Sequence, residues 1–379
     1  MPPLTSTQIT TELLPGIAEL EPTSRGLLPH RLPAHARRQC SDPQMAMAET
    51  QPAGARLRFH TTATIVELDV IRTRPMYRGV PARPDGVYDL VVDGTLAAQE
   101  TSTGGDVLVM DIATGTAETE AGPIGTITFT DLPDRAKTIE IWLPHNEITE
   151  LVDLRSDRPL SPAAGAGALW VHHGSSISHG SNAAHPTGTW PAIAARRAGL
   201  ELHNLGFGGG ALLDPFVART IRDASADLIS IKLGINLVNA DLMRRRAFGP
   251  AVHGFLDTIR DGHPTTPLIV VSAVHCPIHE DTPGPVVPDF ADGRMRFVAG
   301  GDPDGSARGQ LTLRIVRAEL AELVDARAVD DPHLTYIDGL TLFGPQDADL
   351  PLADNLHPGP EAHQRIGERF SAHLRAHRV

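Results

Sequence analysis

The chain has 379 residues, 41% hydrophobic and 21% charged, enough for two cores of ordinary size that hold without covalent staples. Its net charge of −13, with no basic block interleaved with aromatics to offset it, argues against a nucleic-acid partner. No stretch approaches the roughly 20 apolar residues that span a bilayer, which argues against a membrane one.

The N-terminus, MPPLTSTQITTELLPG, lacks the basic start and apolar run of a secretory signal, so the expected location is cytoplasmic. Two cysteines, Cys40 and Cys276, are too few for a disulfide framework or a thiolate metal site and read as free thiols. Of the 33 basic residues only Lys137 and Lys232 are lysines, a codon-usage trait from which no function follows.

Residues 1–50 are rich in proline and polar groups and read as an extended lead-in segment. From Ala55 the pattern turns to period two with β-branched residues, in ARLRFHTTATIVELDVI, VYDLVVDGTLAAQ, IGTITFTD and KTIEIWLP. Asp93-Gly94 is a hairpin turn signal between two of these runs. Short strands at this spacing predict a β-sandwich over 51–158. Its aromatic strand residues Tyr88 and Trp142 do not form a stacking platform, so a structural cap that shapes a pocket is the expected role.

A small, flexible link at about 155–167, SDRPLSPAAGAGA, leads into a strand–loop–helix texture over 167–379. ALWVHHGS is a short strand. TWPAIAARRAGL is a helix with Pro191 in its first turn and Gly199 at its end. DLISIKLG and PLIVVSAV are continuous apolar runs, as in strands buried on both faces. RGQLTLRIVRAELAELVDARA and EAHQRIGERFSAHLRAH carry apolar residues at helical spacing. The predicted fold is a doubly wound α/β domain with a parallel sheet, preceded by the N-terminal sandwich. The proline- and glycine-rich stretch from His279 to about Gly309 interrupts the pattern and reads as a long loop insertion.

In such a sheet ligands bind beyond the carboxyl ends of the strands, where the polar candidates fall. Ser176 follows ALWVHH, Gly209 closes NLGFGGG, Asn236 follows DLISIKL, and Asp354 and His357 share the loop DNLHPG. A serine after a strand is by itself a turn or cap residue, and a run of glycines a tight turn. Together they form an acyl-transfer set. A serine hydroxyl needs a base to take its proton, and the base needs a partner to fix its tautomer. Asp354 and His357, three residues apart, can meet on one turn. Backbone N–H groups of Ser176 and Gly209 and the Asn236 amide can serve a developing oxyanion. Histidines His172, His173 and His179 flank the serine and read as pocket-shaping residues. No acid or cysteine nearby completes a metal site, and neither metal nor cofactor is expected.

The order Ser, Gly, Asn, Asp-x-x-His resembles the four blocks of the SGNH, or GDSL, hydrolase superfamily over residues 167–379. The resemblance implies Ser176 as nucleophile, His357 as base, Asp354 as its orienting acid, and Ser176, Gly209 and Asn236 as the oxyanion hole. Two positions depart from the family pattern: Ser175 stands where Asp is usual, and Leu237 stands where the third block usually ends in Asp. The sandwich is similar to carbohydrate-binding modules and to the leading domain of some SGNH carbohydrate esterases. The two-domain arrangement resembles actinobacterial GDSL O-acyltransferases that tailor tetracycline-type antibiotics. The implied activity is acyl transfer from a small ester or thioester donor to a hydroxyl on a natural-product (polyketide) scaffold. With water as acceptor the same machinery is an esterase.

Overall fold

Alternating apolar residues put one face of Val66–Tyr77 and of Ile148–Ser156 into a core, and the two strands pair antiparallel from Val66↔Ser156 to Thr73↔Ile148. The computed structural model describes residues 3–79, 82–111, 114–290 and 295–376. These residues divide into two units. One takes the chain up to Ala34, Glu49–Gly165 and His185–Thr187; the other takes His35–Ala48, Ala166–Ala184 and the chain from Gly188 on. The expected lead-in, 1–50, thus divides between the units. It carries the strands Thr5–Thr7, Glu19–Pro22 and Leu27–His30 and the helix Pro43–Thr50. Short edge strands with proline have no alternation long enough to register as sheet in a sequence.

The first unit has one sheet in the order Glu19–Pro22, Leu27–His30, Ile148–Ser156, Val66–Tyr77, Asp106–Asp111, Thr116–Glu120. Thr5–Thr7 joins it on Ile148–Ser156, and Gly125–Phe129 on Val66–Tyr77. A five-stranded sheet runs Leu160–Pro162, Arg56–Thr61, Lys137–Trp142, Val87–Val92, Thr95–Thr101. Leu57, Phe59 and Ile139 of this sheet and Leu68, Val70 and Leu154 of the first meet in one buried cluster, which makes the unit a β-sandwich. Asp93 and Gly94 have φ of 48° and 79°, both left-handed, as the tight hairpin between Val92 and Thr95 requires.

Tyr88 and Trp142 are 0% and 2% exposed, so neither offers a surface platform; Arg56 lies over the Trp142 ring, 4.7 Å from its centroid. Asp89 is wholly buried yet charged-compatible: Oδ2 accepts from His185 Nδ1, Thr187 N and Thr187 Oγ1 at 2.7, 2.8 and 2.6 Å, and Oδ1 from Gln99 Nε2 at 2.8 Å. Burial alone would push this carboxyl up; these donors outweigh it and leave it below the usual range.

The second unit is built on a parallel five-stranded sheet in the order Glu201–Gly206, Leu169–Gly174, Leu228–Lys232, Leu268–Val271, Leu334–Ile337. Numbered along the chain this is 2-1-3-4-5, a doubly wound order whose switch point lies between the first and third strands. Leu228–Lys232 and Leu268–Val271 are buried at every position, Ser230 and Lys232 included. The helix Trp190–Ala198 has Pro191 in its first turn and ends on Gly199 in the left-handed region. It packs with the terminal helix Pro360–Ala376 around Trp170, Trp190 and Phe370, whose ring centroids lie 5.2–6.1 Å apart. Such pairs add about 0.5–1.5 kcal/mol each beyond area burial. Among the described residues no helix is long and apolar enough to cross a membrane.

The predicted loop insertion after the fourth strand is partly ordered secondary structure. Val286–Asp289 and Arg296–Ala299 form an antiparallel hairpin, from Val286↔Ala299 to Asp289↔Arg296, and Pro303–Arg308 a 3-10 turn. Prolines and glycines at both ends mask these four-residue strands in the sequence.

Candidate active site

The strand Leu169–Gly174 ends at Gly174, whose missing side chain is demanded by its surroundings: a Cβ there would sit 2.3 Å from Ser178 Oγ. The chain turns at Ser175 and enters the short helix Ser176–His179. Ser176 is therefore presented at the carboxyl end of the first strand, beside the switch point, with its hydroxyl 2.9 Å from His357 Nε2. His357 Nδ1 is 2.8 Å from Asp354 Oδ2. Ser175 points elsewhere: it is fully buried, and among the described residues its hydroxyl has no hydrogen-bond partner.

Asp354 is held on every side. Oδ1 accepts from the backbone N–H of Leu356 and His357 at 3.0 and 2.7 Å. Oδ2 accepts from His357 Nδ1 and, at 3.3 Å, from Asn182 Nδ2. Burial pushes the carboxyl up, but the hydrogen bond and charge of His357 with the two backbone donors outweigh it and hold it down at about 2. It is ionised at neutral pH. An acceptor-only carboxylate on Nδ1 fixes the proton there and leaves Nε2 free to accept from Ser176.

Gly209 and Asn236 follow the second and third strands. Gly209 has φ of +80°, a conformation open to glycine, and a Cβ there would stand 3.2 Å from Gln44 Cγ. No acceptor within the described residues takes the N–H of Ser176 or of Gly209. Asn236 is buried, and its Oδ1 accepts from Ala211 N–H at 3.1 Å. That bond fixes which end of the amide is oxygen and leaves the Nδ2 hydrogens to donate. The five sequence-predicted residues thus lie on the loops and short helices that follow the first three strands and on the loop entering the terminal helix, with the Ser176–His357–Asp354 chain in direct contact.

The three neighbouring histidines are tied into the scaffold. Trp170 Nε1 donates to Ser230 Oγ at 2.8 Å; that hydroxyl lies 2.7 Å from His172 Nδ1, and His172 Nε2 lies 2.8 Å from Ser178 Oγ. Desolvation keeps His172 neutral, well below its usual range. His173 Nδ1 donates to Leu205 O at 2.8 Å, and His179 Nδ1 accepts from Gly208 N–H at 3.2 Å.

Four contributors were given no role by the sequence. Asn204, which heads the block NLGFGGG, braces the helix Ser176–His179, donating from Nδ2 to Ser178 O at 2.9 Å and accepting at Oδ1 from Gly206 N–H at 2.8 Å. Gln44, from the lead-in, donates to Gly208 O at 3.3 Å beside the Gly209 turn. Phe297, from the hairpin, donates its N–H to Asp354 O at 2.9 Å, accepts from Asn355 Nδ2 at 3.2 Å and sets its ring nearly perpendicular to His357, centroids 5.9 Å apart. Asn182 is the fourth. A pocket of about 460 Å³ lies beside this loop, walled by Pro277, Ile278, Phe343, Leu350, Leu352 and Asn355; Ser176 and His357 are not among its walls.

A serine hydroxyl on an imidazole on a partly buried carboxylate, set at the strand ends of a 2-1-3-4-5 sheet, is the arrangement expected of an enzyme of the SGNH type. Residues 169–279 match the model of the GDSL-like lipase/acylhydrolase family. The whole chain is similar to the solved structure of the salicylyl-acyltransferase SsfX3 from a tetracycline biosynthetic pathway, at 25% identity and a TM-score of 0.81, covering 100% of this chain and 98% of that one. A GDSL-like lipase structure from Bacteroides ovatus aligns at 19% identity and TM-score 0.70, covering 99% and 98%. A family two carbohydrate esterase from Clostridium thermocellum, solved with cellohexaose, aligns at 13% and 0.57, covering 86% and 93%. The last two share the fold. No curated protein sequence matches the chain.

Proposed function

We propose that the protein is a serine O-acyltransferase working through an acyl-enzyme, with a hydroxyl of a polyketide-type scaffold as acceptor. His357 Nε2 takes the Ser176 proton as Oγ attacks the carbonyl carbon of an ester or thioester donor. Asp354 holds the imidazole in the required tautomer and stabilises the imidazolium. The N–H groups of Ser176 and Gly209 and Nδ2 of Asn236 receive the oxyanion. The imidazolium then protonates the leaving group, the acyl group stays on Ser176, and His357 activates the incoming hydroxyl in the reverse sequence.

The observation that carries this reading is the unbroken Asp354–His357–Ser176 contact, 2.8 and 2.9 Å. The choice of a scaffold hydroxyl as acceptor is supported by the full-length similarity to an acyltransferase of a tetracycline pathway. Water as acceptor, hence ester hydrolysis, is the second reading. It is favoured by the partial exposure of the site, since Ser176 is only half-buried and the His357 side chain is 13% exposed.

The deciding experiment measures the product ratio when a hydroxylated polyketide acceptor competes with water for the acyl group of a nitrophenyl ester or acyl thioester. Transfer should rise with acceptor concentration and vanish with Ser176→Ala. Water winning at every acceptor concentration ends the transferase reading and leaves the esterase.

A further inference from the structure

We infer that Asn182 is a positioning residue: it ties the turn behind the nucleophile to the loop that carries acid and base, and sets how strongly Asp354 grips the His357 imidazole. The inference rests on the proposed roles of Ser176, His357 and Asp354. One nitrogen, Asn182 Nδ2, reaches both Asp354 Oδ2 at 3.3 Å and the backbone oxygen of His357 at 3.5 Å, one hydrogen for each acceptor. Both targets belong to the D-x-x-H turn, and Oδ2 is the same oxygen that takes His357 Nδ1–H.

The placement is built into the backbone. Asn182 has φ of +64°, a left-handed conformation that asparagine tolerates better than most residues. The preceding Ser181 donates its N–H to Ser176 O at 2.9 Å and accepts from His363 Nε2 at 2.9 Å, and the following Ala183 donates to Gly180 O at 2.9 Å. A side chain on so fixed a turn loses little freedom in making its bonds. A donor on Oδ2 draws off part of that oxygen's charge and holds it in line with the ring; the bond to His357 O fixes the base's own backbone.

Other titratable groups face this pair from neighbouring elements. His363, on the terminal helix, is pushed down to about 4 by burial, against the hydrogen bond to Ser181. Cys276, on the loop after the fourth strand, is pushed up to about 12 by burial with Glu280 nearby. Neither changes charge between pH 5 and 9. A change in the acid side of the activity profile then reports the Asp354–His357 pair.

Two substitutions separate geometry from charge. Asn182→Gly keeps the left-handed backbone and deletes the amide; kcat on p-nitrophenyl acetate should fall about two- to tenfold at unchanged KM, the loss of one modest hydrogen bond to a charged acceptor. Asn182→Asp keeps the shape and places a second negative charge beside Asp354. That favours the imidazolium, so the acid-side fall of kcat/KM should move to higher pH by about half to one unit at low salt and shift back in 0.5 M NaCl. The pH dependence of Ser176 phosphonylation by a fluorophosphonate gives the same readout without an ester substrate.

Melting temperatures within a few degrees of wild type check folding of these exposed variants. Wild-type kcat in Asn182→Gly with an unmoved, salt-insensitive profile in Asn182→Asp overturns the inference. If Ser176→Ala is silent in that case, the proposed triad stands and the inference alone fails. If Ser176→Ala retains full turnover, the triad reading itself has failed and this inference falls with it.

Discussion

Asp354→Asn should cost about 10⁴ in kcat, and the hydrogen bonds around the carboxylate say why. Oδ1 accepts from two backbone donors, Leu356 N–H and His357 N–H. In the asparagine variant this position must remain the oxygen, because an amide NH₂ there would confront two N–H groups. The nitrogen is forced to the Oδ2 position, 2.8 Å from His357 Nδ1. An N–H facing Nδ1 makes Nδ1 the acceptor and moves the ring proton to Nε2, which lies 2.9 Å from Ser176 Oγ. The base then presents a proton where it should take one. Loss of the correct tautomer in a Ser-His-Asp site costs roughly 10⁴, equivalent to about 5.5 kcal/mol of barrier. Steady-state release of nitrophenol, corrected for the Ser176→Ala background and accompanied by a melting curve, measures it. A folded Asp354→Asn enzyme within tenfold of wild type would refute the reasoning.

Asn236→Ala should lower kcat by about 10²–10³ with little change in KM, as expected of an oxyanion donor; steady-state kinetics that move KM alone would contradict the role. Ser175→Ala, which removes a buried hydroxyl with no partner among the described residues, should leave turnover intact and melting unchanged or slightly raised, whereas Ser176→Ala should abolish turnover and fluorophosphonate labelling. Acid should weaken the fold. Asp354 and Asp347 are both held at about 2, Asp347 because Arg369, Gly344 N–H and Arg365 outweigh the opposing effect of burial. These folded values lie below the unfolded carboxylate's, so their contribution is full above about pH 5 and is lost as pH falls toward 2. Melting temperature measured from pH 7 to 2 should drop across that window, and Asp347→Asn should flatten part of the drop.

The parallel sheet was legible because its strands are covered on both faces and are therefore mostly apolar, as LIVV is throughout. The helix around Trp190 was legible through Pro191 and Gly199, placed where proline is favoured in a first turn and glycine just past a helix end. The Asp93-Gly94 hairpin was legible for the same kind of reason, since few residue pairs accept two left-handed conformations. The strand pair Val286–Asp289 and Arg296–Ala299 was not, because four-residue strands bordered by proline and glycine carry too few alternations to stand out from a loop.

Chemistry divided along the same line. Residue type and chain order alone determined the candidate set Ser176, Gly209, Asn236, Asp354 and His357, because serine-based acyl transfer admits few side chains for each task. The motif order already picked Ser176 over Ser175; the tertiary structure shows how, since adjacent residues at the entrance to a helix point in different directions and Ser176 is the one that meets the imidazole. Tertiary structure decided that Gln44, Asn182 and Phe297 gather around the Gly209 turn and the Asp354–His357 loop. Their contacts join positions as far as 175 residues apart, and an amide or a phenyl ring has no local pattern that foretells a partner so distant. A sequence can specify the reacting groups through their chemistry, but the groups that hold them are chosen by packing, which exists only once the chain has folded.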